Sequence, residues 1–127
     1  MASIEIFNSS RLAPAVGPFC TAVKANGFLF ISGQVGIGSS GQLADSFEGE
    51  VRQIMENLLV ILKENGLGYG NITAVTIYLK DMKKFGLLNQ LYSPYFNASF
   101  PSRTCIAVAD LPVNANVEMT VTAALIN

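Results

Sequence analysis

Phe47-Glu48-Gly49-Glu50-Val51-Arg52-Gln53-Ile54-Met55-Glu56-Asn57-Leu58-Leu59-Val60-Ile61-Leu62, closing on Gly66 and followed by Ile72-Thr73-Ala74-Val75-Thr76-Ile77-Tyr78-Leu79-Lys80, is the stretch on which the fold turns. In its first half Phe47, Val51, Ile54, Met55, Leu58, Ile61 and Leu62 recur at i, i+4, i+7, i+8 and i+11, the spacing of one face of an amphipathic helix. Asp45-x-x-Glu48 ahead of it has the form of a capping box. Gly66 suits the left-handed residue that ends a helix. The second half alternates instead, with Val75, Ile77 and Leu79 on one side and Thr76 and Tyr78 on the other, which predicts a strand. A long helix feeding a strand predicts a sheet with that helix packed against it.

Toward the N-terminus, Ile4-Glu5-Ile6-Phe7 predicts a short strand, and Asn8 to Pro18 a loop punctuated by Pro14 and Gly17-Pro18. Phe19 to Lys24 and Phe28 to Ser32 flank Asn26-Gly27, the pair that a type I′ hairpin turn favours because both central residues need positive φ. Phe28-Leu29-Phe30-Ile31 is apolar on both faces and predicts a central strand. Gly33 to Gly41 reads as a glycine- and serine-rich loop. Toward the C-terminus, a weaker helix after Asp81 uses Met82, Phe85, Leu88 and Tyr92 and stops near Pro94. Arg103 to Ala109 and Val117 to Ile126 complete an order of β-β-β-α-β-α-β-β. The expectation is an α+β fold of one domain, residues 1–127, with a mixed sheet and both helices on one face. The other face has nothing in its own chain to cover it.

Composition bounds the function. The 127 residues are half apolar, with 8 Lys and Arg against 9 Asp and Glu, and the mean hydropathy is +0.41. A domain of this mass exposes about 6,500 Å², and so few charges cover that area thinly. A homo-oligomer is therefore expected. A net charge of -1, with no basic run longer than Lys83-Lys84, argues against nucleic acid. There is no histidine, and Cys20 and Cys105 have no metal-ligand spacing, so neither metal nor cofactor is expected. Two lone cysteines, no basic or apolar leader and no membrane-length apolar run lead to the expectation of a cytoplasmic protein with reduced thiols and no membrane partner.

The chemistry is concentrated near the C-terminus. Pro101-Ser102-Arg103-Thr104-Cys105 and Asn116-Val117-Glu118-Met119 place an arginine and a glutamate in strand-like runs. A charge in a half-buried strand is unfavourable unless it is paired or used. A guanidinium fork beside a titratable carboxylate suits a small anionic substrate, with the glutamate managing a proton or a water. Arg103 and Cys105 leave the same face of their strand, and Glu118 points away from Val117 and Met119. Structural readings stand beside these: a salt bridge from Arg103 to Asp110 or Glu118, a rim carboxylate at Glu118, a small buried hydrophobe at Cys105. Were the last two strands a hairpin closed by Asp110 to Asn116, Arg103 would lie about 16 Å further from the turn than Glu118. Either the strands are not neighbours or the site joins two subunits, and the thin charge cover favours a shared site.

These C-terminal motifs, with Val108-Ala109, Leu111-Pro112, Gly17-Pro18, Ile31-Ser32-Gly33-Gln34, Phe85 and Asn89-x-x-Tyr92, resemble the RidA (reactive intermediate deaminase, YjgF-type) family, also labelled endoribonuclease L-PSP. The resemblance runs nearly end to end. It implies a chorismate-mutase-like fold, a homotrimer with active sites between subunits, and hydrolysis of 2-iminopropanoate and 2-iminobutanoate to 2-oxo acids and ammonia. It also implies that Arg103 holds the substrate carboxylate, that Glu118 handles water, and that Ser32, Gly33, Asn89 and Cys105 line the pocket. Many members carry tyrosine after Gly-Pro; here Phe19 can wall the pocket but offers no hydroxyl. Two other readings stay open: a non-catalytic trimer binding small carboxylates or acting as a chaperone, and an endoribonuclease.

Overall fold

Asn26 and Gly27 both adopt positive φ, 52° and 84°, so β2 (Ala22–Ala25) turns directly into β3 (Phe28–Val35) as the Asn-Gly pair predicts. The computed structural model describes residues 3–97 and 99–126. Around this hairpin the chain runs through β1 (Ile4–Phe7), α1 (Phe47–Glu64), β4 (Ile72–Leu79), α2 (Phe85–Tyr92), β5 (Ser102–Ala107) and β6 (Val117–Ala124). The six strands form one sheet in the order β1-β2-β3-β6-β4-β5, antiparallel except for β4 and β5. The expected order of strands and helices and the mixed sheet are what the chain adopts.

The core is one layer between sheet and helices. Leu29, Ile31, Val75, Ile77, Leu79, Val117, Met119 and Val121 leave one face of the sheet. They meet Val51, Ile54, Met55, Leu58, Ile61 and Leu62 of α1 and Leu88 and Tyr92 of α2, all buried. The opposite face carries Ile4, Ile6, Phe28 and Phe30, which remain 71, 61, 39 and 46 % exposed. Pairing sets Ile6 beside Val23 and Val23 beside Phe30, so these apolar side chains form a band across β1, β2 and β3. The chain exposes 7208 Å², above the roughly 6,500 Å² expected of a monomer of this mass.

Two local expectations are corrected, and a pairing left open by the sequence is settled. Ser46, not Asp45, caps α1: its backbone is extended and its hydroxyl accepts from Gly49 N at 3.0 Å. Glu48 instead lies in the first turn, where its charge suits the helix dipole. The C-terminal expectation holds: Gly66 has φ 75°, and Gly66 N and Leu67 N donate to Lys63 O and Leu62 O, a Schellman closure. Second, β3 runs on to Val35, so Gly33 is a strand residue, sited where the pairing with β6 slips between Ile31 and Gln34. As to the pairing, β5 and β6 are not neighbours, because β4 lies between them.

A polar clamp absent from the sequence reading joins α1 to the start of β6. Glu50 is buried on α1 and accepts from Asn116 N at 2.8 Å and Asn116 Nδ2 at 2.7 Å. Glu50→Ala should lower stability by about 2–3 kcal/mol, because it removes two hydrogen bonds to a buried, charged acceptor. Glu50→Gln, which keeps an acceptor, should lose less; equal denaturant midpoints for Glu50→Ala and parent would remove the clamp from the account.

Candidate active site

The sequence-predicted residues gather into two clusters on opposite faces of the sheet. The first is built on the irregular part of β3. Glu118 pairs with Val35 on one side and Tyr78 on the other, so its side chain leaves the helix-free face. Its carboxylate lies against Gly33. A Cβ at Gly33 would collide with Glu118 Oε2 and stand 3.0 Å from Cδ, so only glycine lets this carboxylate lie there. Ser32 precedes it, with its hydroxyl donating to Cys20 O at 2.7 Å. Phe19, half exposed, lines a cavity of about 390 Å³ together with Ser32 and Gly33. Burial pushes the Glu118 carboxyl above its ordinary value, and no cation or hydrogen-bond donor meets it among the described residues. Gly33→Ala should displace this carboxylate by about 1 Å or more and lower turnover about 100-fold with the fold retained. Parental turnover in a folded Gly33→Ala chain would show that the carboxylate position is unimportant.

The second cluster is at the β5 edge. Arg103 and Cys105 pair with Val75 and Ile77 and so share the helix-bearing face. The guanidinium lies over the rings of Phe85, 5.4 Å away, and Tyr92, 5.1 Å away, a cation–π cradle. Phe85, Asn89 and Tyr92 sit at i, i+4 and i+7 of α2, one face of that helix. Arg103 makes no ion pair with Asp110, Glu118 or any other acid among the described residues, which removes the salt-bridge reading. The fork is therefore positioned by rings and left without a counter-ion. Burial pushes the Cys105 thiol up, with Arg103 opposing, so the thiol stays protonated and contributes bulk rather than a nucleophile. The Tyr92 hydroxyl is buried without a partner among the described residues. The roles of Phe85 and Tyr92 in holding Arg103 escaped the sequence reading, although both were visible as residues of the helix face.

The clusters do not meet within one chain. Arg103 is level with Val75 of β4 and Glu118 with Tyr78. Three residues along the strand and two strand spacings across it put their Cα atoms about 14 Å apart, on opposite faces. Among the described residues no three His, Cys, Asp or Glu side chains are grouped to hold a metal ion. No helix among the described residues is long and apolar enough to cross a membrane.

A family model described as endoribonuclease L-PSP matches residues 10–125. A RutC family protein of Aquifex aeolicus (strain VF5) is 48 % identical over 85 % of this chain and 89 % of its own length. A 2-iminobutanoate/2-iminopropanoate deaminase of Mus musculus is 38 % identical over 91 % of this chain and 87 % of its own. The crystal structure of YyfA from Yersinia pestis, a protein of unknown function in the conserved Rid family, superposes with a TM-score of 0.92 at 30 % identity, covering 96 % of this chain and 99 % of that one. The chain belongs to the RidA family. On this Rid architecture the chain carries both clusters, the carboxylate beside a glycine in β3 and the guanidinium on the rings of α2.

Proposed function

We infer that this RidA-family chain hydrolyses 2-imino acids such as 2-iminopropanoate and 2-iminobutanoate to 2-oxo acids and ammonia, in clefts between the subunits of a homotrimer. One observation carries this reading: Arg103 and Glu118 each lack a charged partner among the described residues and lie too far apart for one small molecule to touch both. A neighbouring copy that brings its Arg103 to this Glu118 supplies what each lacks, with the substrate between them. The apolar band on the uncovered face supports assembly. The deaminase name of the 38 % identical mouse relative supports the reaction class.

The chemistry asks for a grip, a water and a proton carrier. Arg103 holds the substrate carboxylate bidentately, and its ring cradle fixes the plane of the fork. The iminium carbon then lies over Glu118. The carboxylate takes a proton from water as the water oxygen bonds to that carbon, and the C=N π pair moves to nitrogen. Glu118 returns the proton to the amine, the C–N bond breaks with its pair leaving on ammonia, and the hydroxyl oxygen closes the new C=O as its proton departs. Imine and water become 2-oxo acid and ammonia, with no change in oxidation state. A carboxyl raised by desolvation is a stronger base than an exposed one, which suits the first step. Cleavage of RNA would need cationic phosphate contacts, and Lys83-Lys84 is the longest basic run in the chain.

The test is ammonia release from an imine generated in situ by an amino-acid oxidase, together with sedimentation of the enzyme. Acceleration over the uncatalysed rate by a trimer is expected. An uncatalysed rate, or full activity in a monomeric variant, overturns the reading.

A further inference from the structure

The cavity beside the Glu118 cluster is larger than a three- or four-carbon acid requires. At about 390 Å³ it has the volume of a drug-sized pocket, but it is half open in the isolated chain, with Val16, Phe19 and Val113 of its wall 82, 53 and 44 % exposed. Its walls are mostly apolar: Leu12, Val16, Phe19, Ile37 and Val113 contribute side chains, beside Thr21, Ser32, Gln34 and Asn57. The polar side chains that line it are engaged elsewhere. Asn57 donates to Ile37 O at 3.0 Å and accepts from Gln53 Nε2 at 2.9 Å. Ser32 donates to Cys20 O, and Gln34 Nε2 to Ser32 O at 3.1 Å. A chamber with its polar groups satisfied internally selects an apolar occupant. It adjoins the reacting region through Gly33, which lines the chamber and also abuts the Glu118 carboxylate.

One wall residue is held there against its own preference. Val113 has φ 52° and ψ 26°, a left-handed conformation that a β-branched residue rarely adopts. Asn114 follows at φ 60°. Strain of this kind persists only where the surroundings over-determine it, and here they do. Ala115 N closes onto Pro112 O at 3.0 Å, Lys80 Nζ holds Asn114 Oδ1 at 3.0 Å, and Glu50 clamps Asn116. The clamp thus holds a turn that sets an apolar side chain at the chamber wall.

We propose that this chamber takes the substrate's side chain, so that the enzyme prefers 2-imino acids with large apolar side chains, and that Val113 sets the upper size limit. The proposal rests on the imine-deaminase reading above and specifies its substrate class. Each methylene buried in an apolar pocket is worth about tenfold or more in discrimination. The leucine side chain has three more carbons than that of alanine, so even partial burial in this half-open pocket should raise kcat/KM for its imine at least about tenfold over that for the imine of alanine.

The experiment compares imines generated in situ from alanine, 2-aminobutyrate and leucine, and measures calorimetric binding of pyruvate and 4-methyl-2-oxopentanoate. Val113→Phe should lower the leucine-to-alanine ratio of kcat/KM about tenfold or more. Val113→Gly, which relieves the positive-φ strain and enlarges the chamber, should hold that ratio or raise it for still larger side chains. Hydrolysis confined to the small imines, or ratios unmoved by both variants, overturns the chamber assignment while the deaminase reading stands. If no imine is hydrolysed but 4-methyl-2-oxopentanoate binds more tightly than pyruvate, the deaminase reading fails and the chamber assignment stands. If no imine is hydrolysed and pyruvate binds as tightly, both fail.

Discussion

Arg103→Ala should lower kcat/KM for 2-imino acids by about 2–5 kcal/mol, the scale for removing one member of a buried charge pair, or roughly 30-fold to a few thousand-fold. The fold should survive, because Arg103 makes no ion pair with the described residues and lies on the edge strand β5 over the rings of Phe85 and Tyr92. Arg103→Lys keeps the charge but loses the planar fork and its stacking, so it should restore only part of the loss. Steady-state kinetics with imines formed in situ check both, and parental rates in either variant would remove Arg103 from substrate binding. The same substitution tests whether the site is shared. Chains carrying Arg103→Ala and chains carrying Glu118→Gln, unfolded and refolded together in equal amounts, should regain about a quarter of parental activity, because every mixed trimer rebuilds one complete site. A site contained within one chain would regain none.

Glu118→Gln should lower kcat by roughly 100-fold to 10,000-fold, the usual contribution of a positioned base, with carboxylate binding nearly unchanged. The pH dependence follows from burial, which raises this carboxyl above its ordinary 4.5. The base works ionised, so parental kcat/KM should rise with pH through that raised value, and the residual rate of Glu118→Gln should lack this limb. Stability moves in the opposite direction. A carboxyl with a raised folded-state pKa favours the folded chain when protonated, so its contribution is complete below 4.5 and is lost as pH rises through the raised value. Glutamine cannot ionise. Above that window Glu118→Gln should melt higher than the parent, and below it the two should coincide. A variant that is slower and also less stable at neutral pH would mean that Glu118 is structural.

Where a residue's own geometry decides the outcome, the sequence was legible. Asn26-Gly27 required positive φ and formed the hairpin turn; Gly66 closed α1 for the same reason. The helix of 47–64 followed from apolar spacing, and the strand of 72–79 from alternation. The cap was misplaced by one residue because Asp45 and Ser46 are both capping types, and only the position of the first helical turn chooses between them. Gly33 was read as loop because glycine is rare inside strands. The fold uses it there for a long-range reason, the carboxylate of a residue 85 positions later. Glu50 carries no local signal of its role, and nothing in its neighbours announces Asn116.

Arg103, Cys105 and Glu118 were recognisable from the sequence as charge and sulfur in apolar strands, because the unfavourable burial of such groups is a local property. Their relation to one another was not. It depends on β4 lying between β5 and β6, and strand order is settled by which apolar faces find cover rather than by any residue's spacing. The tertiary structure alone put guanidinium and carboxylate on opposite faces, leaned one on two rings of α2 and the other on a bare glycine, and fixed Val113 in a strained turn at the chamber wall. Each of those outcomes is a contact between residues far apart in the chain, where packing decides what local preference leaves open.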